Sequence, residues 1–183
     1  MARTKTDLDR SAKEQEILVV AQKLFVSLGY DATSMSRIAE DTGVAPNTLY
    51  WYFTDKDALL IAVLDRLVSA AFREYERRRK APLERQLLWI LGELKDAEGL
   101  IATVHSRTSV APSLDAWHTN FHRMLELTLL TQLRAHGVAE EELGHAAKTT
   151  IFVIEGMLAH PSSAAEQRAF VRWLVSTIEP KRT

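Results

Sequence analysis

The chain contains no cysteine. That excludes disulfides, thiolate metal sites and cysteine nucleophiles, and it suits a reducing compartment. Glycine and proline are scarce, at 7 and 5 of 183 residues, which favours long uninterrupted helices. No apolar run approaches the ~20 residues that span a bilayer, so no membrane partner is expected. The opening MARTKTDLDR lacks the apolar core of a signal peptide, and a cytoplasmic location is expected. A glycine-rich phosphate loop is missing, as is a Ser-His-Asp set in a recognisable context, so neither an enzyme nor a bound cofactor is expected. Excess positive charge is missing too. The net charge is −1, and residues 1–56 carry seven Lys/Arg against eight Asp/Glu. DNA-binding domains are usually more basic, so any DNA reading must rest on a motif.

What is present is helical periodicity. Hydrophobic residues make up 46% of the chain, enough for a substantial core. Residues 1–9 read as a basic-polar arm able to touch phosphates or a minor groove, with a frayed terminus as the equal alternative. Residues 10–29 form a first helix, with Ile17, Val20, Ala21, Leu24, Phe25 and Leu28 on one stripe. Gly29 stops it. Further helices are expected over 34–42, 46–53, 56–80, 82–95, 97–105, 113–136, 140–160 and 162–178, with 106–113 a loop. No strand alternation appears. The fold class is all-α, with about nine helices.

The organising stretch is residues 33–56, TSMSRIAEDTGVAPNTLYWYFTDK. Thr33 and Ser34 can cap a short helix whose buried side is Met35, Ile38 and Ala39. Gly43 stands where a left-handed residue ends that helix. Pro46 opens a second one, where its missing N–H costs nothing. Leu49 and Phe53 face inward. Asn47, Thr48, Tyr50, Trp51 and Tyr52 face outward, as a major-groove reader requires.

This segment resembles the helix-turn-helix of the TetR family of bacterial transcriptional regulators. The resemblance rests on Ile38-Ala39, Gly43-Val44, Thr48-Leu49-Tyr50, Phe53, Lys56 and Leu59, preceded by Phe25 and Gly29-Tyr30, and covers roughly residues 10–64. In a DNA reading, Ser34, Ser36, Thr48, Tyr50, Tyr52 and Lys56 hold phosphates. Ala45, Pro46, Asn47 and Trp51 face base edges: Asn47 suits adenine, the others thymine methyls. The resemblance implies the same roles. Many members carry Ser or Thr in place of Ala45, Gly in place of Asn47 and His in place of Tyr52, so the operator sequence of this chain is its own.

The resemblance further implies an N-terminal DNA-binding domain over 1–55. A C-terminal ligand-binding and dimerisation domain would cover 56–183, with 56–80 as the linking helix. The last two helices carry apolar and small residues on more than one side, and a helix apolar on two faces needs two partners. The second partner is either the same chain or, as the resemblance implies, a second copy. The implied dimer uses the helices near 140–160 and 164–178 and reads a palindromic double-stranded operator. A small, mostly apolar ligand is implied among the helices from 82 to about 160, with Trp89, His105, Trp117, Phe121, Phe152 and Glu155 as candidates. Each of these is individually more often ordinary core.

His118, His122 and Glu126 share one helical face. Without an HExxH pattern they read as a polar face, and no metal site is expected. The function expected is a ligand-released repressor. The alternative is a helical protein-interaction adaptor without specific DNA readout.

Overall fold

The computed structural model describes residues 5–160 and 162–179, with side chains from residue 9. Residues 1–4 of the expected arm and Pro161 lie outside the described residues. Among the described residues there are nine α-helices and no strand: α1 (Lys5–Leu28), α2 (Met35–Thr42), α3 (Pro46–Tyr52), α4 (Lys56–Arg78), α5 (Leu83–Asp96), α6 (Glu98–Arg107), α7 (Pro112–Ala135), α8 (Leu143–Ala159) and α9 (Ala164–Ile178). No helix among them is long and apolar enough to cross a membrane.

The chain divides into two compact units. The first runs up to Ala70 and takes in Gly99–Trp117; the second comprises Ala71–Glu98 and the chain from His118 onward. The units therefore do not part at 55/56. The first half of α4 belongs with the helix-turn-helix because Leu59, Leu60, Val63 and Leu64 are buried in the same core as Ile17, Phe25, Ile38 and Leu49. Leu100 and Val104 of α6 and Leu114 of α7 complete that core. The second unit is built on Leu83, Leu87 and Leu91 of α5, Leu133 of α7, Ala147, Ile154 and Met157 of α8, and Val171 and Leu174 of α9.

Several boundaries differ from expectation. α1 begins at Lys5, so half of the expected arm is helix. Its buried stripe is Ile17, Leu18, Ala21, Leu24 and Phe25, whereas Leu28 is exposed. The stripe thus takes in Leu18, and the helix ends where Gly29 adopts φ 84°. α6 runs to Arg107 and α7 starts at Pro112, which shortens the expected loop.

The caps are local and explicit. Asp55 Oδ1 accepts from Ala58 N at 2.7 Å at the head of α4. Ser163 and Glu166 form a reciprocal capping box on α9, a pairing that satisfies two otherwise orphaned N–H groups. In the second unit the buried Gln86 amide donates to the Arg79 and Ala81 carbonyls at 3.1 and 2.8 Å, and so serves carbonyls just beyond the C-terminus of α4.

Candidate nucleic-acid interface

The turn between α2 and α3 is set by backbone chemistry. Ser34 is extended (φ −93°, ψ 154°), and its hydroxyl accepts from Arg37 N at 3.1 Å. At the far end Gly43 is left-handed (φ 66°). Gly43 N donates to Glu40 O at 3.1 Å and Val44 N to Ala39 O at 3.0 Å, the paired closure of a Schellman motif. Any residue with a Cβ is strained at that φ. Ala45 then precedes Pro46 and offers no side-chain cap. Proline at the first helical position supplies a preset φ in its place.

α3 is seven residues long, and its two sides divide sharply. Leu49 and Phe53 are buried in the core, while Trp51 is 62% and Tyr50 50% exposed. Ala45, Pro46, Asn47 and Thr48 are exposed, as are Ser34 and Ser36 at the head of α2; Tyr52 is half-buried. Trp51 is held despite its exposure. The Arg10 guanidinium of α1 lies 4.4 Å from its ring centroid, and Tyr52 meets it edge-on at 5.0 Å. Arg10 thus belongs to a helix beside the recognition surface. Arg37 pairs with Asp41 at 2.9 Å. The resulting strip combines amide, hydroxyl, indole and cationic groups over a rigid backing, the chemistry needed to touch both phosphates and base edges.

Lys56 faces inward. Its ammonium donates to Tyr30 O at 2.9 Å and Thr33 O at 3.1 Å, and lies 4.0 Å from the Tyr30 ring centroid. Burial lowers its pKa. Two of its three N–H donors pin the α1–α2 connection to the head of α4, leaving one for any phosphate. Thr33 is fully buried, and its hydroxyl donates to Gly29 O at 2.8 Å. It therefore closes the end of α1, while Ser34 alone caps α2.

Next to Lys56 lies a feature the sequence does not disclose. Arg107, at the end of α6, grips Asp57 with Nε to Oδ1 at 2.8 Å and Nη2 to Oδ2 at 2.7 Å. The Tyr30 hydroxyl donates to the same carboxylate. The Arg107 bond holds the Asp57 carboxyl below its ordinary value, and Asp57 in turn raises Arg107. Burial first, then the Asp57 bond, push the Tyr30 phenol well up. Trp117 is tied to α4 of the same unit, its indole N–H donating to Asp65 at 2.7 Å.

The six expected ligand-contacting residues are divided between the two units. His105 and Trp117 belong to the first unit; Trp89, Phe121, Phe152 and Glu155 belong to the second. Trp117 is half-buried against the first unit's core, where its indole serves Asp65. Phe152 is 69% exposed on α8. Trp89 stacks on Tyr75 at 6.4 Å, with Arg78 5.2 Å from its ring centroid. The second unit does hold a cleft of about 400 Å³ between α4 and α7. Phe72, Tyr75, Met124, Leu127 and Gln132 are among its lining, and none of the six is. Burial pushes the Tyr75 phenol up to about 12.

Comparison with known proteins agrees with this arrangement. Residues 17–63 match the model of "Bacterial regulatory proteins, tetR family". The chain is 31% identical over 154 residues to the transcriptional repressor ComR of Escherichia coli, covering 75% of this chain and 73% of that one. It is 39% identical over 62 residues to the transcriptional activator FasR of Mycolicibacterium smegmatis, covering 34% and 28%. In fold it is similar to a transcriptional regulator from Saccharomonospora viridis solved with choline: TM-score 0.75, 18% identity, 91% of this chain and 96% of that one. These relatives are regulators and not enzymes.

Proposed function

The chain belongs to the TetR family and is a DNA-binding transcriptional regulator; we propose that it is a repressor released from a palindromic operator by a small molecule. The observation that carries the operator reading is α3 itself, anchored by buried Leu49 and Phe53 and presenting Tyr50 and Trp51 outward. In this reading Ser34, Ser36, Thr48, Tyr50 and Tyr52 hold phosphates, with the last N–H of Lys56 in reserve. Ala45, Pro46, Asn47 and Trp51 meet base edges, and Arg10 orients Trp51. A seven-residue helix makes few contacts, so two copies are needed on two half-sites. The proposed dimer forms through α8 and α9. Phe152, Phe170 and Trp173 stand 69%, 53% and 63% exposed there, and such apolar surface calls for a partner. ComR supports repression as the direction of control over most of the chain's length. The cleft between α4 and α7 is the proposed ligand site. α4 contributes to both units and is the covalent route by which occupancy would shift the population between two dimer states.

The test is selection of genome-derived DNA fragments by the purified protein, beside the variants Tyr50→Ala and Trp51→Ala. The expected outcome is an enriched inverted repeat that both variants lose. Enrichment of no sequence by a confirmed dimer at low salt would overturn the operator reading and leave a protein-binding adaptor.

A further inference from the structure

Two histidines and a glutamate meet through His122 in the second unit, and none of them lines the cleft. His118 and His122 lie one turn apart on α7, and Glu155 lies on α8. The two Nε2 atoms are 3.0 Å apart, and His122 Nε2 is 3.5 Å from Glu155 Oε1. The rings meet at 63° with centroids 4.4 Å apart, and Phe121 packs edge-on against His122 at 5.9 Å.

Hydrogen bonding makes poor use of this geometry. A neutral imidazole carries one N–H, so a proton on His122 Nε2 can serve its neighbouring ring or the carboxylate, but not both well. A cation uses every lone pair at once. Ligands about 2.0–2.1 Å from a tetrahedral zinc ion stand about 3.3 Å from one another, and His122 Nε2 stands near that distance from each of the other two atoms.

We propose that His118 Nε2, His122 Nε2 and Glu155 Oε1 form a binding site for a divalent first-row transition-metal ion of the zinc class. Two imidazoles with one carboxylate suit such borderline ions, whereas magnesium and calcium favour oxygen ligands throughout. Three protein ligands leave a fourth position for water or for a coordinating small molecule. The side chains of His122 and Glu155 are 30% and 41% exposed, which gives the ion a way in. Glu126, the carboxylate in register with the two histidines on α7, has a competitor in Glu155 from another helix. A metal there would fasten α7 to α8. Ion binding does not depend on the regulator reading, and its test uses no DNA.

Untagged protein, freed of metal by chelation, is titrated with Zn²⁺ by calorimetry and with Co²⁺ by visible absorption. One ion per chain is expected, with the d–d bands of four-coordinate Co²⁺. His118→Ala, His122→Ala and Glu155→Gln should each weaken binding at least tenfold, while Glu126→Gln and His136→Ala bind as the parent does. Circular dichroism checks that each variant folds. The parent protein alone can refute the site: no stoichiometric Zn²⁺ binding and no Co²⁺ bands would overturn it. Loss of binding in Glu126→Gln with retention in Glu155→Gln would overturn the assignment of the third ligand.

Discussion

The two units solve the same packing problem by different means. The first is fastened by long-range polar contacts: Lys56 to the α1–α2 connection, Arg107 and Tyr30 to Asp57, Trp117 to Asp65. The second combines an apolar core of leucine, valine, isoleucine, alanine and methionine with side-chain pairs nearer its surface: His136 with Glu179, His122 with Glu155 and Arg172 with Glu84. It leaves Phe152, Phe170 and Trp173 exposed. Directional polar contacts fix geometry, whereas apolar burial fixes contact without fixing angle. A reader of DNA must hold its recognition helix to fractions of an ångström. In the proposed function the second unit senses and pairs, and it must keep surface available for what it binds.

The contrast is broken most severely at the base of α3. Leu49→Ala removes a fully buried side chain and should cost about 2–5 kcal/mol. Denaturant unfolding followed by circular dichroism would show it, with loss of operator binding alongside. On the outer side of the same helix, Trp51→Ala should leave stability nearly unchanged while weakening operator binding about 10- to 100-fold. Fluorescence anisotropy at fixed salt reads that effect. A Trp51→Ala variant as unstable as Leu49→Ala would erase the inner/outer distinction.

The polar pins come next. Asp57→Asn and Arg107→Ala should each destabilise by about 1–3 kcal/mol, and a double-mutant cycle should show coupling between them. The Asp57 carboxyl is held below its ordinary value in the folded state, so its contribution is complete above the ordinary carboxylate range and is lost as pH falls through the folded value. The stability gap between the parent and Asp57→Asn should therefore be full at neutral pH and close below about pH 4. A gap that widens in acid would contradict the assignment. The smallest effect belongs to the second unit: Ser163→Ala dismantles the α9 capping box and should cost about 1 kcal/mol with no change in operator affinity.

What the sequence disclosed was mostly local. Gly43 and Pro46 mark the α2–α3 turn because φ preferences act within a residue. Met35, Ile38, Leu49 and Phe53 mark the inner side because helical spacing does the same over one turn. Arg107 and Asp57 are 50 positions apart, and His122 and Glu155 are 33 apart (155 minus 122). No periodicity joins such pairs; only packing does. None of the ligand-contacting candidates lines the cleft, for a related reason. Aromatic residues such as Trp89 and Trp117 satisfy a core and a pocket by the same chemistry, so their type alone does not say which they line. Lys56 shows the converse: a cation beside a recognition helix also has two carbonyl partners that its place in the sequence does not announce.

In the proposed complex two copies of α3 read two half-sites. Chemical footprinting of the selected operator tests it directly. Two protected major-groove patches are expected about 34–36 Å apart, or a multiple of that, both lost with Trp51→Ala. A single protected patch, or protection that survives Trp51→Ala, would contradict it.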